Sequence, residues 1–224
     1  KIRVQDILKI QSKKEGMDMK VLLLNGSPHE KGCTYTALCE VAGALEKNGI
    51  ETEIFQIGNK PVAGCIGCGS CRKTGRCVFE GGVNEFVEKA KEADGFIFGS
   101  PVYYANASGQ ISSFLDRAFY SGSAAFAYKP GAAVASCRRA GTTATLDQLN
   151  KYFTINCMPV VSSQYWNMVH GNTPEEVVQD KEGLQIMRTL GNNMAWLLHC
   201  IQAGKEQGIA LPEREPKEKT NFIR

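Results

Sequence analysis

Residues 65–77 read CIGCGSCRKTGRC and place four of the chain's nine cysteines within one short stretch. The spacing is C-x2-C-x2-C-x5-C. Two consecutive C-x2-C steps match the compact loops that wrap an iron–sulfur cluster. Zinc sites more often pair two C-x2-C knuckles across a longer gap. Gly67, Gly69 and Gly75 let the backbone fold tightly and aim amide groups at sulfur. Three readings stay open on these residues: a cluster on Cys65, Cys68, Cys71 and Cys77, thiols or a transient disulfide with no metal, and zinc. The odd cysteine count, in a chain long enough to fold without bridges, fits a reducing cytoplasm, where clustered cysteines mean metal or redox chemistry.

Three further stretches carry chemistry. In NGSPHEKGCTYT (25–36), Gly26 and Gly32 permit close backbone approach, and Ser27, Thr34 and Thr36 bring hydroxyls to a helix start that favours an anion. The stretch is neither a Walker A loop nor G-x-G-x-x-G, so one terminal phosphate suits it better than a triphosphate or a pyrophosphate. The blander alternative is a hydroxyl-rich turn that caps its helix. In SPVYYANASG (100–109), Tyr103 and Tyr104 lie in a loop bounded by Pro and Gly, beside Asn106. Such tyrosines either offer aromatic surface to a ligand or pack inward. In SCRRAGTT (136–143), Arg138 and Arg139 precede a helix opening at Gly141; taken alone they read as solvated arginines.

The elements that must position these loops alternate strand and helix. Apolar runs predict strands at 20–26, 51–57, 95–100, 131–137 and 159–164. Helical spacing links Leu38, Val41, Ala42 and Leu45, then Phe86, Val87 and Ala90, and then Ile111, Phe114, Leu115 and Ala118. It continues at Leu146, Leu149 and Phe153, and in a long last helix from Leu184 to Ile201. This pattern predicts an α/β fold: five parallel strands with helices on both faces and ligand loops at the carboxyl ends of the strands. Residues 1–18 are set apart as an extension with a weak stripe of Val4, Ile7 and Leu8, residues 19–210 form the domain, and 211–224 form a polar tail. The formal charge of +3 argues against nucleic acid or an anionic membrane as partner, and no apolar run reaches spanning length or marks a signal peptide. Cys39 and Cys200 read as buried small hydrophobes, and Trp166 and Met168 either cover a bound cofactor or fill core, with core the favoured reading.

LLLNGSPHEKGCTYTAL, GSPVYYANASGQISSFLDR and the glycine-containing loop after the fourth strand resemble the flavodoxin-like NADPH-dependent FMN reductases, from about Lys20 to about Trp166. The resemblance implies a doubly wound sandwich with sheet order 2-1-3-4-5. It implies that Ser27, Pro28, His29, Cys33, Thr34 and Tyr35 surround the FMN phosphate. Pro101, Val102, Tyr103, Tyr104, Ala105 and Asn106 would then run along the isoalloxazine ring, and Arg138, Arg139, Ala140 and Gly141 would close its far side. His29 and Cys33 depart from the commoner arginine and asparagine of the family. The cysteine spacing resembles that of the iron–sulfur flavoproteins, a branch of this family with a 4Fe–4S cluster, although family members can keep cysteines here without one. The implied activity is an NAD(P)H oxidoreductase in which FMN carries the chemistry and no side chain is catalytic. The donor is NADH, NADPH or a ferredoxin-like protein, and the acceptor is a small molecule or a protein. A homodimer or homotetramer is implied as well. The competing classes are an electron carrier or redox sensor, and a structural zinc module.

Overall fold

Between Met19 and Asn25 the only charged side chain is Lys20, and a strand of that composition has to be covered on both faces. In the computed structural model, which describes residues 19–216 and residues 218, 220 and 222, this run forms β1 (Lys20–Asn25), with Val21 to Leu24 wholly buried. On one side β1 pairs in parallel with β2 (Glu51–Gln56), on the other with β3 (Gly95–Tyr103). A short antiparallel strand, β4 (Asn106–Ala107), folds back on the end of β3. Two more parallel strands follow, β5 (Gly131–Cys137) beside β3 and β6 (Met168–His170) beside β5. The order β2-β1-β3-β5-β6 is the expected 2-1-3-4-5 once the hairpin strand is set aside. It reverses between β1 and β3, so the loops leaving these two strands flank the crevice where open α/β sheets bind ligands.

Seven α-helices and a short 3-10 helix (Ser123–Ala125) fill out the described chain, the α-helices being α1 (Cys33–Lys47), α2 (Cys71–Thr74), α3 (Val83–Glu92), α4 (Gly109–Gly122), α5 (Thr142–Ile155), α6 (Pro174–Val177) and α7 (Lys181–Glu206). Leu38, Val41 and Leu45 of α1 and Ile186, Leu190 and Met194 of α7 bury one face of the sheet with Val21, Leu23 and Ile97. The other face packs Phe86 of α3, Phe114 of α4 and Phe153 of α5 on Leu22, Leu24, Phe96 and Phe98. Phe86 and Phe114 meet edge-to-face at 5.4 Å, a favoured aromatic geometry. No helix among the described residues is long and apolar enough to cross a membrane.

The fifth parallel strand lies away from its predicted place. Residues 159–164 contribute only an isolated bridge, Gly131 to Val160, and the strand itself is Met168–His170. The Ser163 hydroxyl closes a turn within the detour. It donates to Tyr165 O at 2.6 Å and accepts from Tyr165 N at 3.3 Å, ahead of the point where Ala135 pairs with Met168. β3 continues three residues past its predicted end. Met168 is core, but Trp166 is 56% exposed and packs on Tyr165 instead. Cys39 is half-buried and Cys200 exposed, so neither is the buried hydrophobe expected of it. The stripe of Val4, Ile7 and Leu8 lies outside the described residues. In the tail, Arg214 lies over the Tyr128 ring at 4.8 Å and donates to its hydroxyl at 3.2 Å.

Candidate functional site

The loop after β1 is held by its own side chains. Asn25 Oδ1 accepts from Ser27 N at 3.1 Å, Asn25 Nδ2 donates to Glu30 O at 3.2 Å, and Ser27 Oγ accepts from His29 N at 3.1 Å. α1 then starts at Gly32, where no side chain caps it. Its first-turn amides are therefore left for an external acceptor, on the positive end of a four-turn helix. Two buried hydroxyls lie beside this end, Ser27 at 3% and Thr34 at 1% exposure. This donor set fits a phosphate. Thr34 Oγ1 also meets Ser136 Oγ at 2.8 Å, which joins α1 to the end of β5. Ser136 and Asn25 were not singled out from sequence; their only signal is a polar residue at the last turn-out of a buried strand. Thr36 differs from expectation, because its hydroxyl donates back to Gly32 O at 3.2 Å. Cys33 contacts Gly171 O at 3.7 Å; burial, with Glu176 and Glu175 adding, pushes its thiol up, so it stays neutral beside an anion. Tyr35 hydrogen-bonds Cys39, while Pro28 is half-buried and His29 exposed.

Pro101 and Val102 lie in β3, and the chain reverses through Tyr104 and Ala105 to pair Tyr103 with Asn106. Both turn residues have positive φ, 50° and 57°, the geometry of a two-residue hairpin usually built from Asn and Gly. For residues with a side chain, that conformation costs about 1–2 kcal/mol each. Strain of this kind persists where the surroundings over-determine it, often at ligand sites. Tyr103 is 45% exposed and Tyr104 fully exposed, so neither is a core tyrosine. Gly141, at φ 94°, presses against this hairpin: a Cβ there would lie 2.6 Å from Ala105 Cα. Arg138, Arg139 and Ala140 are exposed on the same connection. Ser108 fastens the hairpin to the first loop. Its hydroxyl donates to Gly26 O at 2.9 Å and accepts from Ile111 N at 3.3 Å, capping α4. Gln56, at the end of β2, donates to Ser27 O at 2.8 Å. The loops after β1, β3 and β5 thus meet on one edge, as their sequence placement predicts.

The cysteine loop leaves this edge and runs along α4. Gln110 Nε2 donates to Lys60 O at 2.9 Å near the start of the helix, and Cys71 Sγ contacts Tyr120 O at 3.5 Å near its end. Cys65, Cys68, Cys71 and Cys77 are free thiols, and all four line one small pocket with Phe79 and Arg117. They are the correct donors for iron or zinc. No three His, Cys, Asp or Glu side chains among the described residues are drawn together tightly enough to hold a metal, so the loop has to close further for four sulfurs to meet. Gly67, Gly69 and Gly75, all at positive φ in an exposed loop, supply that freedom. The Ser70 amide and hydroxyl lower the Cys68 thiol, which favours a thiolate there. From Gly109 to Arg117 and Tyr120 the helix rises about 12–16 Å, so the pocket lies well back from the hairpin.

The model of the NADPH-dependent FMN reductase family matches residues 19–173. An iron–sulfur flavoprotein of Methanocaldococcus jannaschii is 34% identical over 82% of this chain and 100% of its own length. One from Methanosarcina thermophila is 32% identical over 84% of this chain and 100% of its own. Among solved structures, the NAD(P)H:quinone oxidoreductase from Methanothermobacter marburgensis superposes with a TM-score of 0.61 at 16% identity, covering 80% of this chain and 96% of that one. A flavodoxin from the domain Archaea has a TM-score of 0.56 at 15% identity over 81% of this chain and 99% of that one, which speaks for the fold alone. The chain belongs to the NADPH-dependent FMN reductase family, in its iron–sulfur flavoprotein branch, and is an FMN-dependent oxidoreductase.

Proposed function

We propose that this chain takes electrons from a reduced nicotinamide and delivers them, by way of FMN and a 4Fe–4S centre on Cys65, Cys68, Cys71 and Cys77, to a protein or small-molecule acceptor. The observation that carries the proposal is that four free thiols line a single pocket on the helix that begins at the flavin-edge hairpin. The names of the relatives support it.

FMN bound at this edge supplies hydride acceptance and release of electrons one at a time. The chain's own part is positioning. The uncapped first turn of α1, with Ser27 and Thr34, would hold the phosphate, and Ser136 would fix the Thr34 hydroxyl. The Tyr104–Ala105 turn and the connection 138–141 would border the ring together as one packed wall, because Gly141 packs directly against Ala105. No side chain is assigned as acid or base, since hydride transfer to a flavin requires none. The four thiols would supply the centre, whose chemistry is one-electron transfer. Its distance from the hairpin, and the exposed Tyr103 and Tyr104, support a second copy or a partner at this edge; light scattering that shows only monomer while FMN stays bound removes the second copy.

Anaerobic mixing with NADH or NADPH tests the donor. Bleaching of the flavin absorbance, followed by turnover with a quinone or dye, is expected. No bleaching with either nicotinamide, but reduction by a ferredoxin-like donor, makes the chain a carrier and removes the nicotinamide from the proposal.

A further inference from the structure

Among the described residues Arg117 is the largest fully buried side chain, 2% exposed in the middle of α4. A buried guanidinium is ordinarily matched by a carboxylate, because an unpaired charge costs several kcal/mol to desolvate. Among the described residues no carboxylate pairs with Arg117. Its donors go elsewhere. Nη1 donates to Ala63 O at 3.3 Å, and Nη2 to Phe79 O at 2.5 Å and Glu80 O at 2.8 Å. Nε points at Cys77 Sγ, 3.2 Å away. The guanidinium also lies over the Phe79 ring at 5.5 Å.

Two features of this arrangement bear on the cysteine loop. Ala63 stands just before Cys65, and Phe79 and Glu80 stand just after Cys77, so one side chain ties together both ends of the stretch that carries the four thiols. Among the described residues, the one ionisable side-chain group that the guanidinium hydrogen-bonds is the Cys77 sulfur. Metal ligation requires that sulfur to be deprotonated.

We propose that Arg117 is the positioning residue and built-in counter-charge of the cysteine centre: it closes the base of the loop and stabilises the more negative, reduced form of the group that Cys77 helps to hold. This rests on the reading of the four cysteines as a cluster site. A one-electron reduction of such a centre would add one negative charge beside a fixed, buried positive one. Removing the positive charge makes reduction harder. Lys has no planar fork of five donors, but it keeps the charge.

The test compares anaerobically reconstituted wild-type protein with Arg117→Gln and Arg117→Lys. Bound FMN serves as the control for folding, and iron and sulfide content and the midpoint potential of the centre are measured. Held at the wild-type midpoint, Arg117→Gln is expected to show its oxidised form favoured by about tenfold or more, which for one electron is about 59 mV. Arg117→Lys is expected to stay much closer to wild type, while losing iron to a chelator faster than wild type because the clamp on 63, 79 and 80 is gone. A centre that forms fully in Arg117→Gln at an unchanged potential overturns the proposal, as does a Lys variant shifted as far as Gln. If neither variant retains FMN, pulsed electron paramagnetic resonance of reduced wild-type protein labelled with 15N-arginine decides: a coupled arginine nitrogen supports the contact, and its absence overturns it. Wild-type protein that takes up no iron refutes the cluster reading and this role together. A loaded wild type with an unresponsive Arg117→Gln refutes the role of Arg117 alone.

Discussion

Gly141→Ala separates the two loops that are proposed to border the flavin, and its cost follows from the structure. Gly141 has φ 94°, and an added Cβ meets Ala105 Cα at 2.6 Å and Val102 Cγ1 at 2.8 Å. The first contact is with backbone, which cannot swing aside as a side-chain tip can. Gly49 is the control: it also has positive φ, 77°, but a Cβ there meets nothing within 4 Å. At Gly49 an alanine costs about 1–2 kcal/mol in backbone conformation, less about 0.4–1 kcal/mol gained from a stiffer unfolded chain. The net destabilisation of Gly49→Ala is thus about 0–1.6 kcal/mol. Gly141→Ala adds a forced separation of packed loops, about 1–3 kcal/mol, for a total of about 1–4.5 kcal/mol. Because the hairpin has to move, FMN affinity falls as well, by about tenfold for each 1.4 kcal/mol not recovered on binding. Urea unfolding of both apoproteins gives the stabilities, and quenching of flavin fluorescence gives the affinities. Gly141→Ala protein that is no less stable than Gly49→Ala and binds FMN as wild type does would show that the two loops do not act together on the ring.

Three further outcomes are expected. Ser27→Ala with Thr34→Ala weakens FMN binding by about 1–3 kcal/mol, because each is a lost hydrogen bond to a charged group; an unchanged titration removes the loop after β1 from the site. Replacing any one of Cys65, Cys68, Cys71 and Cys77 by Ser lowers iron content sharply and leaves FMN bound, since oxygen replaces thiolate poorly on iron; iron retained in all four variants refutes the ligand set. Acid stability carries a contribution from Glu53, whose carboxyl is held below its ordinary 4.5 first by Lys20, at 2.7 Å, and then by Lys89, at 2.8 Å. A depressed carboxyl stabilises the fold above its unfolded value and loses that contribution as pH falls through the folded one, so stability drops below about pH 4.5 in wild type and more shallowly in Glu53→Gln; parallel pH profiles would show that the pair contributes nothing.

The fold was legible where burial is continuous. β1 and β5 are uninterrupted apolar runs, and α1 and α5 show clean helical spacing, so the edge that gathers the loops could be placed from sequence. The last parallel strand could not. Met168–His170 is three residues long, and PVV at 159–161 is the better strand by composition; a turn closed at Ser163 lies between them. The hairpin at Tyr104 and Ala105 was hidden for a different reason: neither residue type announces positive φ, and only the surrounding packing imposes it. Ser136 was invisible because its role depends on reaching Thr34 across the crevice. Arg117 sits in SSFLDRAF, where an arginine beside an aspartate reads as the solvated side of a helix. Its burial arises from the cysteine loop packing over α4, a long-range contact that helical spacing cannot encode.

The central claim is that one chain carries both a flavin and an iron–sulfur centre. Quantifying FMN, iron and acid-labile sulfide on anaerobically purified and reconstituted protein tests it most directly. The account predicts one FMN per chain, with iron and sulfide in equal amounts at about four of each. Full FMN with no stoichiometric iron, and four freely titrating thiols at Cys65, Cys68, Cys71 and Cys77, would contradict it and leave a flavin oxidoreductase with an empty-handed cysteine loop.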